Sequence, residues 1–301
     1  MKTRHLLSLL DLARDEAYAI LRRAAELKQL RQQGIRPLLF ERKVLAMIFE
    51  KSSTRTRVSF ESAMIEGGGG SVFLSLSDSQ LGRGEPIQDT ARVLSEMCDA
   101  IMARTYAHTT VESLAAHSSV PVINGLTDRL HPCQVLADIQ TYMEFRGDIA
   151  QARVAWVGDG NNMCNTYIEA ARLFGFELVI SSPRDYAATI DKSVLANAAI
   201  KIEEDPAKAV AGADLVVTDV WVSMGQEQDT DARRRALRPY QVNAALLQLA
   251  NPDALFMHCL PAHRGEEVTS EVIDRSNGVV WAEAGNRLHA QKALLEFLLR
   301  E

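Results

Sequence analysis

The chain has 301 residues, with 33 Lys and Arg against 39 Asp and Glu, and 47% of its residues are hydrophobic. This length accommodates about two domains, and the mixed composition excludes disorder, a coiled coil and a collagen-like repeat. The net charge of −6 argues against a nucleic-acid partner.

Short apolar runs rich in β-branched residues alternate along the chain with segments of helical period. An amphipathic helix is predicted within residues 1–20. Strands are predicted at 44–49, 71–76, 100–104, 120–125, 153–159, 177–182, 213–220 and 254–260. Helices lie between them, for example at 59–67, 131–145 and 163–175. Because strands and helices alternate, the pattern predicts an α/β fold whose parallel sheets are covered on both faces.

A helix that ends at Arg146, Gly147 and Asp148 separates the two sets of strands. We therefore predict two doubly wound parallel-sheet domains, 1–147 and 148–287. A C-terminal helix follows at 288–301. It closes the second domain or packs back on the first, and we favour its return to the first domain.

No apolar run approaches the 18 residues that a membrane-spanning helix needs, so no membrane partner is predicted. The four cysteines, Cys98, Cys133, Cys164 and Cys259, form no CxxC pair. Their spacing indicates free thiols in a reducing cytoplasm and no metal site.

Ligands of open parallel sheets bind beyond the carboxyl ends of the strands, so the polar loops there are the candidate sites. Ser53, Thr54, Arg55 and Thr56 follow a predicted strand and begin a helix. Free N–H groups, hydroxyls and a guanidinium at a helix N-terminus favour an anion, although a capped surface helix has the same residues. A Walker A motif is absent, which favours a small phosphate compound over a nucleoside triphosphate.

The next such loop leads into a helix at His131 and Pro132, with Gln134 one turn along. His131 is suited to polarise a carbonyl oxygen and Gln134 to hold an amide, although a histidine at a helix start is more often structural. Arg104 closes a neighbouring strand and adds a cation.

The loop WVGDGNNMCN resembles a dinucleotide fingerprint, but Met163 replaces the third glycine and no acid follows near Ser181, which argues against a dehydrogenase. Asp159, Asn161 and Asn162 offer groups that suit the head of an amino acid.

Three further candidates follow later strands: Asp219 with Ser223, Cys259 at the end of an apolar strand, and Arg287 just before the terminal helix. Their ordinary alternatives are a turn cap, a small buried residue and a surface cation.

STRTR, HPCQ, DVWVSMG and HCLP occur in this order at characteristic separations. Together they resemble the aspartate/ornithine carbamoyltransferase family, and within it the ornithine carbamoyltransferases, over essentially the whole chain. The sequence departs from the family at AEAGN, where AEN is more usual, and in the short connection after HCLP. Neither departure falls on a ligand position.

The resemblance implies site residues position by position. Carbamoyl phosphate is expected to contact Ser53, Thr54, Arg55, Thr56, Gln80, Arg104, His131, Gln134, Cys259, Leu260 and Arg287. Ornithine is expected to contact Asn162, Asp219, Ser223 and Met224. The resemblance further implies that Cys259, Arg104, His131 and Asp219 are catalytic.

The implied reaction joins carbamoyl phosphate in domain 1–147 to L-ornithine in domain 148–287, gives citrulline and phosphate for arginine synthesis, and needs no cofactor. The family also implies a homotrimer in which Gln80 reaches a neighbouring subunit. Two alternatives stay open: another amine as acceptor, such as putrescine or N-acetylornithine, and a binding protein for phosphate or amino acids without catalysis.

Overall fold

The computed structural model describes residues 3–75, 84–188, 199–222, 230–275 and 278–300. The chain divides into two compact units: unit 1 comprises Met1–Gln140 with Gly285–Glu301, and unit 2 comprises Thr141–Ala284. The functional division at 147 and 148 stays a prediction, because compactness alone does not assign a substrate to a unit.

Unit 1 contains a four-stranded parallel sheet in the order β2-β1-β3-β4. The strands are β1 (Val44–Phe49), β2 (Gly70–Ser75), β3 (Ala100–Arg104) and β4 (Val122–Leu126). The helices are α1 (Arg14–Gln32), α2 (Thr54–Glu66), α3 (Ile87–Met97), α4 (His108–His117) and α5 (Pro132–Arg146), whose last residues belong to unit 2. Because strands lie on both sides of β1, right-handed crossovers place helices on both faces of the sheet.

Unit 2 contains a five-stranded parallel sheet in the order β7-β6-β5-β8-β9. The strands are β5 (Arg153–Val157), β6 (Glu177–Ser181), β7 (Ile200–Ile202), β8 (Leu215–Thr218) and β9 (Leu255–His258). The helices are α6 (Asn162–Phe174), α7 (Pro206–Val210), α8 (Thr230–Leu237), α9 (Ala244–Leu247), α10 (Ser270–Asp274) and α11 (Val280–Leu299), which continues into unit 1.

The central strands are buried because both faces of each sheet are covered. All five residues of β3 are buried, as are all four of β8 and of β9. Trp156 on β5 is fully buried and its ring lies 5.8 Å from that of Tyr167 on α6. The predicted α/β class with two parallel sheets is therefore confirmed. None of the helices in the described ranges is long and apolar enough to cross a membrane.

The predicted helix within residues 1–20 is wrong in its extent. Residues 9–11 form one short 3₁₀ turn, and the α-helix begins only at Arg14. Before it, Leu6 is buried, and its N–H donates to the Val122 carbonyl at 2.9 Å, so this stretch extends alongside β4. Pairing with the sheet edge satisfies its backbone and outweighs its helical pattern.

The position of Arg287 before the terminal helix is also wrong, because α11 begins at Val280 and includes it. Gly285 and Asn286 read as a helix end in the sequence. In the structure, Asn286 is fully buried and its Oδ1 accepts from Lys28 Nζ at 2.9 Å and from Gln140 Nε2 at 3.4 Å. These contacts within unit 1 override the local propensity.

A Gly160→Ala substitution is expected to lower the free energy of unfolding by about 1–3 kcal/mol. Its Cβ would lie 1.9 Å from the Ala188 nitrogen and 2.4 Å from the Ala187 carbonyl carbon, and backbone atoms yield poorly. Gly285→Ala is the control, because its Cβ meets no atom of the described chain within 4 Å. Inside a helix it is expected to add about 1 kcal/mol. Urea unfolding measures both; equal effects would contradict the packing argument.

Candidate active site

The sheet of unit 1 reverses its strand order between β1 and β3, which is where ligands of open parallel sheets bind. After β1, the chain begins α2 with Ser53 as the N-cap. Its Oγ accepts from the Thr56 N–H at 3.2 Å. Thr54 and Arg55 lie in the first turn, and Arg104 ends β3. The structure therefore brings the STRT loop and Arg104 to one edge of the sheet, as predicted.

Two guanidiniums converge on one hydroxyl at this edge. Arg104 Nη1 and Arg287 Nη2 each donate to Thr56 Oγ1 at 3.3 Å. Thr56 is fully buried, and the two arginines are only 7% and 2% exposed. A buried charge is costly unless it is compensated, so two adjacent cations at a helix N-terminus strongly favour an anion.

His131 and Gln134 complete this group, which we call the unit 1 site (Ser53, Thr56, Arg104, His131, Gln134 and Arg287). Gln134 Oε1 accepts from Arg287 Nη1 at 2.6 Å, and its Nε2 donates to Asp138. Burial holds the pKa of His131 well below its usual value, and the charges of Arg287, Arg104 and Arg55 lower it further. His131 is therefore a neutral imidazole near pH 7.

The sheet of unit 2 reverses its order between β5 and β8, and a second group of polar residues lies there. Asp219, which follows β8, accepts from Asn161 Nδ2 at 2.7 Å and from the Cys259 thiol at 3.1 Å. Asn161 caps α6, because its Oδ1 accepts from the N–H groups of Met163 and Cys164. We call Asn161, Asp219 and Cys259 the unit 2 site. Its carboxylate is held at both oxygens.

The remaining predicted residues are placed as follows. Asn162 is the first residue of α6, next to Asn161, and Leu260 follows Cys259 with a φ of 58°. Gln80, Ser223 and Met224 lie outside the described residues. Cys259 and Leu260 belong to unit 2, whereas the other described residues assigned to carbamoyl phosphate belong to unit 1.

A buried imidazole supports the backbone of the HCLP loop. The Leu260 N–H donates to His258 Nδ1 at 2.9 Å, so the ring proton lies on Nε2, which is 3.1 Å from Glu267 Oε1. Asp219, His258 and Cys259 approach within 4.8 Å of one another, as metal ligands do. With both ring nitrogens engaged by other groups, this cluster lacks the open imidazole that a metal needs. Glu267 was not identified from the sequence, where it reads as a surface acid.

One oxygen of the Asp159 carboxylate is held by Arg233, whereas the sequence position predicts a carboxylate that contacts the head of an amino acid. Its Oδ1 accepts from Arg233 Nη2 at 2.6 Å, and Arg233 Nε donates to the Trp221 carbonyl at 2.6 Å. Burial raises the pKa of Asp159 to about 6, although Arg233 opposes the rise. Arg233 lies in the run DARRRAL, which the sequence presents as a solvated helix face, so no signal identified it.

Family models match both halves of the chain. Residues 4–144 match the model described as the carbamoyl-P binding domain of aspartate/ornithine carbamoyltransferase. Residues 150–298 match its Asp/Orn binding domain. The chain belongs to the aspartate/ornithine carbamoyltransferase family.

Individual relatives of this chain within the family are named ornithine carbamoyltransferases. It is 61% identical to a protein of Methylococcus capsulatus named ornithine carbamoyltransferase, over 99% of both chains. It is 56% identical to the anabolic ornithine carbamoyltransferase of Pseudomonas aeruginosa, over 99% of this chain and 98% of that one. The solved structure of ornithine carbamoyltransferase from Pyrococcus furiosus is similar to this chain with a TM-score of 0.92 and 51% sequence identity. The matched region covers 97% of this chain and 96% of that chain.

Asp159 is expected to make stability fall as the pH rises from about 4 to about 6. Its folded pKa of about 6 exceeds the ordinary value of 3.8, so the folded state binds the proton more tightly and loses that advantage over this range. The unfolding free energy of the wild type minus that of Asp159→Asn is expected to decline by on the order of 2 kcal/mol.

Asp274→Asn is the control for this measurement. Arg264 lowers the pKa of the exposed Asp274, so the folded state binds this proton less tightly than the unfolded chain, and no decline of stability with rising pH is expected from it. Urea titrations of the three proteins at pH 4.5, 5.5 and 6.5 measure the differences. A constant difference for Asp159→Asn would contradict the raised pKa.

Proposed function

We propose that this protein transfers the carbamoyl group of carbamoyl phosphate to the δ-amine of L-ornithine, giving L-citrulline and phosphate in arginine biosynthesis. The observation that carries the proposal is the convergence of two buried guanidiniums on Thr56 at the N-terminus of α2. Such an arrangement suits a phosphate group. The acceptor amine is inferred from the relatives, which are named ornithine carbamoyltransferases.

In this proposal, unit 1 binds carbamoyl phosphate. The N–H groups of the first turn of α2, the hydroxyls of Ser53 and Thr56, and the side chains of Thr54, Arg55 and Arg287 hold the phosphate. Arg104 and the neutral His131 donate to the carbonyl oxygen, while Gln134 accepts from the amide. As negative charge grows on that oxygen, each fixed donor contributes about 2.7–4 kcal/mol in well-studied sites.

Unit 2 binds and orients ornithine. Asp219 has both oxygens in hydrogen bonds, which fix the direction in which it accepts from an ammonium or amine group. Asn162, Ser223 and Met224 hold the amino-acid head, and Leu260 contributes to carbamoyl phosphate binding through the HCLP loop. The neutral δ-amine attacks the carbonyl carbon, a C–N bond forms, the C–O bond to phosphate breaks, and the single proton that the amine loses passes to the Asp219 carboxylate. The Cys259 thiol keeps its own proton and holds Asp219 in place by its hydrogen bond.

We further propose a cytoplasmic homotrimer. The cysteines Cys98, Cys133, Cys164 and Cys259 are free, which is consistent with a reducing compartment. Unit 1 exposes the apolar side chains of Val58, Ile65 and Val72 on α2 and the edge strand β2. Such exposed apolar groups are suited to contact with a second copy. The family resemblance implies that Gln80 reaches a neighbouring subunit, and this role is part of the same proposal.

The purified protein is expected to form citrulline and an equal amount of phosphate from carbamoyl phosphate and ornithine. Putrescine, aspartate and N-acetylornithine, each in a separate tube, are expected to give at most about 1% of that rate, because a missing polar group leaves site groups unpaired. Colorimetric citrulline and phosphate assays measure both products.

Two results of this assay would change the assignment. Product from another amine alone would keep the carbamoyl phosphate site and overturn the roles of Asp219 and Asn162. Absence of product from all four amines, together with tight binding of inorganic phosphate, would favour a binding protein.

The value of kcat/KM for ornithine is expected to rise by about tenfold per pH unit from pH 7 toward pH 9. An amine with a pKa near 10.4 is only about 0.1% neutral at pH 7.4, and only the neutral form attacks. His131 stays neutral throughout, because its pKa lies below this range. Initial rates at low ornithine measure the profile, and a flat profile would contradict attack by the free amine.

A further inference from the structure

One fully buried amide on α11 lies next to the unit 1 site, and the catalytic scheme does not use it. Gln291 follows Arg287 by four residues, so both side chains lie on one face of the helix. Gln291 is 0% exposed and Ser59, on α2, is 7% exposed. A buried helix position normally carries an apolar residue, because an amide without partners costs free energy.

Only one orientation of the Gln291 amide satisfies both of its neighbours. Its oxygen then accepts from Arg287 Nη2 at 2.8 Å and from Arg287 Nε at 3.0 Å. Its nitrogen donates to Ser59 Oγ at 2.5 Å. The reverse orientation would put N–H groups against the N–H groups of the guanidinium.

These contacts close a ring between two helices. Ser59 Oγ donates to the Thr56 carbonyl at 3.1 Å, within the first turn of α2. Arg287 Nη2 donates to Thr56 Oγ1 at 3.3 Å. The guanidinium is thus held along its Nε edge by Gln291, and Gln291 is itself held by the helix whose N-terminus faces the anion. A guanidinium pairs well with phosphate only when its plane is fixed.

We propose that Gln291, acting through Ser59, is the positioning residue that orients Arg287 against the first turn of α2 and so sets the affinity of unit 1 for the phosphate group of carbamoyl phosphate. This inference rests on the proposed function and adds a residue to it. Nothing in the sequence distinguished Gln291, which reads as one polar position in the helix HAQKALLEFLLR.

The test compares the wild type with Gln291→Met, which has a similar length and no acceptor for the guanidinium. The KM for carbamoyl phosphate and the inhibition constant of inorganic phosphate are both expected to rise about tenfold, as loss of a hydrogen bond to a charged group implies. The KM for ornithine and kcat at saturation are expected to stay within about twofold. Thermal unfolding reports whether the variant folds.

Ser59→Ala is the second variant, and it removes the acceptor of the Gln291 nitrogen together with the hydrogen bond from Ser59 Oγ to the Thr56 carbonyl. A rise of about threefold in the same two constants is expected. The double variant is expected to be no worse than Gln291→Met alone, because both changes break one chain of contacts. Gln241→Met is a matched control in unit 2, where Gln241 donates to the carbonyls of Gly265 and Glu266. This control variant is expected to lower the melting temperature and to leave the KM for carbamoyl phosphate and the inhibition constant of phosphate unchanged.

The outcomes separate this inference from the proposed function. A wild type that makes citrulline, with Gln291→Met constants within twofold of it and only a lower melting temperature, would overturn the positioning role. Additive effects in the double variant would do the same. If the wild type makes no citrulline, the proposed function fails, and calorimetry with inorganic phosphate alone still decides whether Gln291 governs the anion site.

Discussion

The burial of two like charges around one hydroxyl is the constraint on which unit 1 depends. Arg104 and Arg287 come from parts of the chain 183 residues apart (287 − 104 = 183), and both donate to Thr56. Burying two like charges side by side costs free energy, and an anion that binds there would offset that cost. Burial first, and then the same charges, lower the pKa of His131 and keep its imidazole neutral near pH 7. In the proposed reaction the carbonyl oxygen therefore meets the single N–H of a neutral imidazole beside the cations, and this ring carries no second, acidic proton near pH 7.

Hydrophobic runs predicted the sheets well because the central strands are buried on both faces. The predicted ranges 44–49 and 100–104 equal β1 and β3, and the strands that were predicted follow in the correct order. The three-residue edge strand β7 (Ile200–Ile202) was not predicted. The ends of weaker strands were less accurate: 213–220 was predicted where β8 spans Leu215–Thr218. The apolar character continues beyond the paired residues, and pairing with β5 and β9 rather than hydropathy determines where β8 ends.

The site was predictable only in part. Motif residues at strand ends were found because parallel strands bring their carboxyl ends together, so a linear pattern maps to one edge. Gln291 and Arg233 carry no such signal, since each acts through a contact with a residue distant in the chain. Glu267 contacts His258, which is close in the chain but lies on the other side of a loop whose path the sequence does not reveal. Arg287 was found as a residue but misplaced relative to α11, because the contacts that keep Gly285 and Asn286 helical are tertiary. Local sequence patterns therefore identify candidate binding residues better than they identify the residues that position them.

Unit 1 is formed by two separate segments of the chain, 1–140 and 285–301, and this arrangement affects the order in which it is synthesised. Residues 1–140 leave the ribosome before unit 2, whereas Arg287 and the rest of the segment 285–301 leave it after the whole of unit 2. Domains ordinarily fold in the order of their synthesis. Here unit 1 starts before unit 2 and is completed after it, so the nascent chain lacks the proposed anion site until Arg287 has been synthesised. A product truncated after residue 284 would therefore contain the whole of unit 2 and yet lack Arg287 from the proposed phosphate site.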